Sequence, residues 1–149
     1  NHDAVERVDE LVQDAVSRGA DVLRGAQYDG NFYEPTILDN VTLDMEIAWE
    51  EIFGPVLPII EVEDHHEALE IANRSEYGLD SSIFTENITI ALRLSKEMED
   101  GTVSINAAPS HGVGHFPFGG NKKSGIGREG LKYSIDELTK INTVIFNEK

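Results

Sequence analysis

Between residues 56 and 106 the chain alternates between two hydrophobic periods, and this alternation restricts the fold more than any other feature. Residues 56–62 read as a strand, with Pro58 marking an edge or irregular stretch because proline cannot donate to a ladder. Asp64-His65-His66-Glu67 has capping-box spacing with the aspartate as cap, and predicts a helix to about Arg74. Residues 81–85 read as a strand. Residues 88–99 read as a helix, with Ile88, Ala91, Leu92, Leu94 and Ser95 crossing one face. Residues 102–106 read as a strand again. A strand–helix–strand–helix–strand order implies parallel pairing through right-handed crossovers. The expected class is therefore α/β, with a mostly parallel sheet and crossover helices.

The flanking segments are consistent with one domain. Val5, Val8, Leu11, Val12, Ala15 and Val16 recur at helical spacing, which predicts an amphipathic helix over 3–18 that stops at Gly19. A short strand is expected at 21–25, a turn at Tyr28-Asp29-Gly30-Asn31, and an extended apolar stretch at 33–41. Residues 107–130 form a long Gly-rich loop, which in a compact domain is usually either functional or disordered. A short helix near 135–139 and an apolar strand over 141–146 follow. No repeat, low-complexity run or linker interrupts the 149 residues, a length that buries roughly 70% of its unfolded surface.

Charge and composition exclude several classes. The chain has 28 acidic and 12 basic residues and a formal net charge of −16, which argues against nucleic acid and anionic membrane as partners. No apolar run approaches the roughly 20 residues that span a bilayer. No secretory signal is visible, so the expected location is cytoplasmic. The absence of cysteine excludes disulfides and thiolate metal sites. His111 and His115 flank Gly112-Val113-Gly114, but a metal site needs a third ligand that the pattern does not offer, and no metal is expected. His65 and His66 read as solvated residues at a helix start. Residues 125–130 match G-x-G-x-x-G literally. They lack the preceding strand pattern and the acid some 20 residues on that a dinucleotide fingerprint requires, so their glycines read as turn formers.

The chemistry-bearing motifs are four. Glu50-Glu51-Ile52-Phe53-Gly54-Pro55-Val56 comes first, followed by Tyr77-Gly78-Leu79 and then Gly101-Thr102-Val103-Ser104-Ile105-Asn106. The last runs from Phe116-Pro117-Phe118-Gly119-Gly120 through Lys123-Ser124-Gly125-Ile126-Gly127-Arg128-Glu129. In this order they resemble the C-terminal part of the NAD(P)-dependent aldehyde dehydrogenases, downstream of the family's nucleophile. The last motif is similar to that of the lactaldehyde and non-phosphorylating glyceraldehyde-phosphate branch. Asp80, after Leu79, departs from the small residue usual there.

The resemblance implies a partial aldehyde dehydrogenase catalytic domain. Residues 1–139 would be the C-terminal part of that domain, and 140–149 a terminal strand for subunit pairing and homo-oligomer formation. It implies that Glu51 hydrogen-bonds the nicotinamide-side ribose of NAD or NADP, with Phe53 packing near it. A carboxylate suits that role because it accepts from two adjacent hydroxyls. Leu79 is either a nicotinamide wall or a core leucine. His111 and His115 are either exposed loop residues or, with Phe116 and Phe118, part of the aldehyde entrance. The family reaction forms a thiohemiacetal on a cysteine, passes hydride to NAD(P)+ and hydrolyses the thioester to a carboxylic acid. This chain holds no cysteine and no catalytic residue, so by itself it is expected to be inactive. Because it opens within a helical pattern at Asn1, it is expected to be a fragment. Two other classes remain open: a non-catalytic assembly module, and a small-ligand-binding module built on the Gly-rich loop.

Overall fold

The computed structural model describes residues 1–110 and 114–147. They fall into two compact units, Asn1–Glu63 and Asp64–Lys149. No linker separates them: Asp64, first residue of the second unit, is already the cap of a helix.

In the first unit, α1 (His2–Ser17) buries Val5, Val8, Leu11, Val12 and Ala15, the stripe its spacing predicts. Val16 lies off the stripe and is 37% exposed. The Asn1 side chain caps α1 by accepting from the Ala4 amide at 3.0 Å. β1 (Asp21–Arg24), β4 (Thr36–Asp39) and β5 (Val56–Pro58) form one sheet in the order β1-β4-β5, with β1 antiparallel and β5 parallel to β4. Pro58 therefore lies on an edge strand, where its missing N–H costs nothing. β2 (Tyr28–Asp29) and β3 (Phe32–Tyr33) make a two-residue hairpin around Gly30, at φ +57. The Tyr33 hydroxyl donates to Asp9 Oδ1 at 3.0 Å and ties this hairpin to α1. Burial, then this bond, push the phenol well above its ordinary value. The core joins Leu11, Val12 and Ala15 to Ala20, Leu38, Val41, Met45 and Ile47, the last in a 3-10 turn, Glu46–Ala48. Each large aliphatic chain there contributes about 1.5–3 kcal/mol by leaving water.

The second unit is built on the crossover β7 (Asp80–Ile83), α3 (Ile88–Glu97), β8 (Thr102–Ile105), which pairs β7 and β8 in parallel from Asp80↔Thr102 to Ile83↔Ile105. Asn87 caps α3, accepting from the Thr89 and Ile90 amides. Ala91 and Leu94 are buried, whereas Ile88 and Leu92 of the predicted face stay exposed. Ahead of it, α2 (His65–Arg74) begins where Asp64 Oδ1 accepts from the His66 and Glu67 amides at 2.7 and 3.0 Å. β6 (Tyr77–Gly78) pairs with β9 (Asn121–Lys122), inside the Gly-rich loop, and α4 (Leu131–Leu138) follows that loop.

Two expectations about the sheets change. Parallel pairing holds for β4–β5 and β7–β8, but the other three pairings are antiparallel. β5 pairs with β4 because the Ile59 amide donates to Leu38 O and the Val41 amide to Ile59 O, extending that ladder. An apolar alternation identifies a strand without naming its neighbour. The strand expected over 141–146 is also not formed. Among the described residues none of 140–147 makes a backbone hydrogen bond, and Ile141, Val144, Ile145 and Phe146 are 65–100% exposed. No helix among the described residues is long and apolar enough to cross a membrane.

Candidate functional site

Each unit displays one group of the expected site residues. In the first unit they sit on the turn that leads into β5. Phe53 has φ +47, a left-handed conformation that costs a bulky residue on the order of 1 kcal/mol. The Phe53 ring stands 82% exposed. It lines a shallow cavity of about 300 Å3 with Val5 and Val8 of α1 and Phe32 and Tyr33 of the hairpin. Gly54 must be glycine for packing: a Cβ there would lie 2.6 Å from Val8 Cγ2. Glu51 is exposed, and its carboxylate makes no hydrogen bond or ion pair with another side chain among the described residues. Its backbone is held instead, since the Glu51 and Ile52 carbonyls both accept from the Arg7 guanidinium at 3.0 Å.

In the second unit Leu79 and Phe118 line one cavity of about 440 Å3, walled by Gly119, Gly120, Ser124 and the 125–129 stretch, with Glu137 of α4 at its side. Leu79 is 40% exposed, so its side chain faces this space more than a core. The Gly-rich loop is ordered by specific bonds. Phe118 and Glu129 form an antiparallel bridge. Arg128 donates through Nη1 to Gly120 O at 2.9 Å and Gly127 O at 2.8 Å, and through Nη2 to Asn121 Oδ1 at 2.6 Å. The Lys123 ammonium pairs with Glu76 and holds that carboxyl below its usual range, while Lys122 Nζ donates to Asn73 O and Ser75 O. A Cβ on Gly101 would overlap the Gly119 carbonyl oxygen, so the start of β8 lies directly against the Phe-Gly-Gly turn.

The literal G-x-G-x-x-G stretch does open a helix, since Gly130 precedes α4. Gly127 and Gly130 have φ +78 and +125, the turn-forming role expected of them. A Cβ on Gly127 would sit 3.2 Å from a Glu137 carboxylate oxygen, and an acid at that distance opposes a phosphate.

Of the substrate-side candidates, Phe118 joins Leu79 at the cavity, whereas Phe116 and His115 do not line it. Their two rings pack against each other, centroids 4.3 Å apart, and Phe116 is 55% exposed. His111 lies outside the described residues. Sequence reasoning missed Arg7, Arg128 and Glu137. Arg128 had a signal: an arginine among glycines, where many bare carbonyls need donors. Arg7 had none, because its acceptors lie 44 and 45 residues away.

Comparison with known proteins identifies the family. The aldehyde dehydrogenase family model matches residues 1–144. An NADP-dependent glyceraldehyde-3-phosphate dehydrogenase of Streptococcus equinus is 46% identical over 144 residues, 97% of this chain and 30% of that protein. A lactaldehyde dehydrogenase of Methanococcus aeolicus is 46% identical over 147 residues, 99% of this chain and 31% of that protein. The crystal structure of a glyceraldehyde-3-phosphate dehydrogenase from Methanocaldococcus jannaschii complexed with NADP superposes with a TM-score of 0.92 at 39% identity, covering 99% of this chain and 32% of that one. The chain thus spans about three tenths of the length of these relatives. Matched along nearly all of its own length, it belongs to the aldehyde dehydrogenase family.

Proposed function

We propose that this chain is the cofactor-side and substrate-mouth portion of an enzyme that oxidises an aldehyde to a carboxylic acid with NAD(P)+. The observation that carries the reading is the display of Glu51 and Phe53 on a strained, anchored turn: a free carboxylate beside an exposed aromatic ring. That pair fits a nicotinamide nucleotide. The carboxylate accepts from two vicinal ribose hydroxyls, and the ring offers an apolar face. In the second unit, Leu79 supplies an apolar wall and Phe118 part of the aldehyde entrance, both at one cavity; His111, His115 and Phe116 are assigned to the entrance by the motif resemblance alone. When bound, the nicotinamide ring accepts the hydride of the substrate carbon. The chain's own residues orient and exclude water; the thiol nucleophile is not among them.

In the same reading, residues 1–139 are the C-terminal part of a catalytic domain. Residues 140–149 pair with the sheet of another subunit, which would cover the exposed Ile141, Val144, Ile145 and Phe146. A cytoplasmic location is carried over from the sequence.

The test is an NADPH titration of the chain followed by amide chemical shifts. Perturbations at Glu51, Phe53 and Leu79 are expected, and perturbations confined to other residues would overturn the assignment. Assayed with NADP+ and an aldehyde, the purified chain should produce no NADPH, since no covalent hemithioacetal can form.

A further inference from the structure

We infer that Arg7 of α1 is a positioning residue for the turn that carries Glu51 and Phe53, an inference that rests on the ribose-anchor reading above. Two adjacent carbonyls, Glu51 O and Ile52 O, accept from two different nitrogens of one guanidinium, each at 3.0 Å. The planar fork gives each carbonyl its own nitrogen in a fixed geometry, whereas an ammonium would have to converge both carbonyls on one atom. Nη2 also lies 3.6 Å from Glu50 Oε2, so the fork holds three consecutive residues.

The grip ends where the strained residue begins. Phe53 takes φ +47 immediately after the second clamped carbonyl. Gly54 then packs against Val8, the next residue of α1 after Arg7. The turn is therefore fastened on both sides of Phe53 by neighbouring residues of one helix turn. That helix is itself rigid, since Val5, Val8, Leu11, Val12 and Ala15 are buried along its length. The Glu51 carboxylate has no hydrogen bond or ion pair among the described residues to fix it, so the backbone clamp is what sets its direction. Left unclamped, a non-glycine residue in the left-handed region relaxes toward the ordinary basins, and the Glu51 and Phe53 side chains lose their display.

The surroundings favour this use of the cation. Arg7, Arg18 and Arg24 are the lysine and arginine residues of the first unit, and Arg7 faces Glu10, Glu46 and Glu50 around a polar cavity of about 270 Å3. With three carboxylates at hand, its shortest contacts among the described residues are nevertheless the two carbonyls of the turn.

The experiment compares the chain with its Arg7→Gln, Arg7→Lys and Glu51→Gln variants. The readouts are 15N order parameters of residues 51–54 and NADPH affinity by titration. Arg7→Gln should lower the order parameters of the turn from the rigid range, about 0.85, to below about 0.6, with the α1 amides unchanged. Arg7→Lys should restore them in part, having one donor group for two carbonyls. NADPH affinity should fall about tenfold in Arg7→Gln, as in Glu51→Gln. Unchanged order parameters in both Arg7 variants would overturn the inference, as would loosening of α1 together with the turn, which marks a general structural role. An unchanged affinity in Glu51→Gln alone would overturn the ribose-anchor reading instead, and the order parameters would still decide the clamp.

Discussion

Phe118 and Glu129 exchange two backbone hydrogen bonds, 3.0 and 2.6 Å, across ten intervening residues of the Gly-rich loop. This closes the loop at its base, brings Phe118 to the cavity that Leu79 lines, and leaves Arg128, next to the bridge, to satisfy the carbonyls inside it.

Arg128→Ala should destabilise the second unit by about 2 kcal/mol, because two carbonyls and one amide oxygen lose a charged donor together. Arg128→Lys should recover less than half, since an ammonium cannot reproduce the fork. Urea unfolding followed at the Tyr77 and Tyr133 ring signals reads the effect. A loss below about 0.5 kcal/mol in the alanine variant would contradict this view of the loop.

α2 should weaken in acid. The Asp64 carboxyl lies below its ordinary value chiefly because the Glu67 and His66 amides donate to it. A carboxylate with a depressed folded value contributes stability above its unfolded value and loses it as pH falls through the folded one. Amide shifts of residues 65–68 should therefore change together below about pH 4, the ordinary aspartate range. Asp64→Asn, also a good cap, should abolish that pH dependence while keeping the helix. Identical titrations in the two proteins would remove the cap from the explanation.

In a full-length enzyme, Glu51→Gln should slow hydride transfer more than it lowers stability. Hydrogen bonds to a charged group contribute about 1.5–3 kcal/mol each, and the exposed site keeps the loss near the lower figure. Small errors in the reacting geometry are costly in rate, so a misplaced nicotinamide shows in the chemical step. Single-turnover kinetics separate the steps, and wild-type values for both hydride transfer and cofactor affinity would refute the role.

The terminal segment should drive self-association. Ile141 is 100% exposed and Phe146 90%, and neither makes a backbone hydrogen bond. Unpaired backbone beside apolar side chains is a template for strand addition. Light scattering should give a larger mass for the complete chain than for one ending at Thr139. Equal monomeric masses for both would defeat the pairing proposal.

The local elements were legible because their causes are local. The α1 stripe, the Asp64 cap and the β7–α3–β8 crossover each depend on residues within a few turns of one another. So did the four ordered motifs, which led to the family and to Glu51, Phe53, Leu79 and Phe118 as candidates. Beyond that crossover, strand partners were not legible: residues 56–62 and 141–146 show similar apolar patterns, yet one forms β5 and the other no strand. A strand exists only where an edge of matching direction lies within hydrogen-bonding distance, and that is a property of the assembled chain. The same reason hid Arg7 and Arg128. Their carbonyl acceptors carry no side-chain signature, and only folding brings a guanidinium on α1 to residues 51 and 52. The sequence by itself determined which segments are helical and which family its motifs belong to; tertiary structure decided which edges pair, which carbonyls find a cation, and that Leu79 and Phe118 share one cavity.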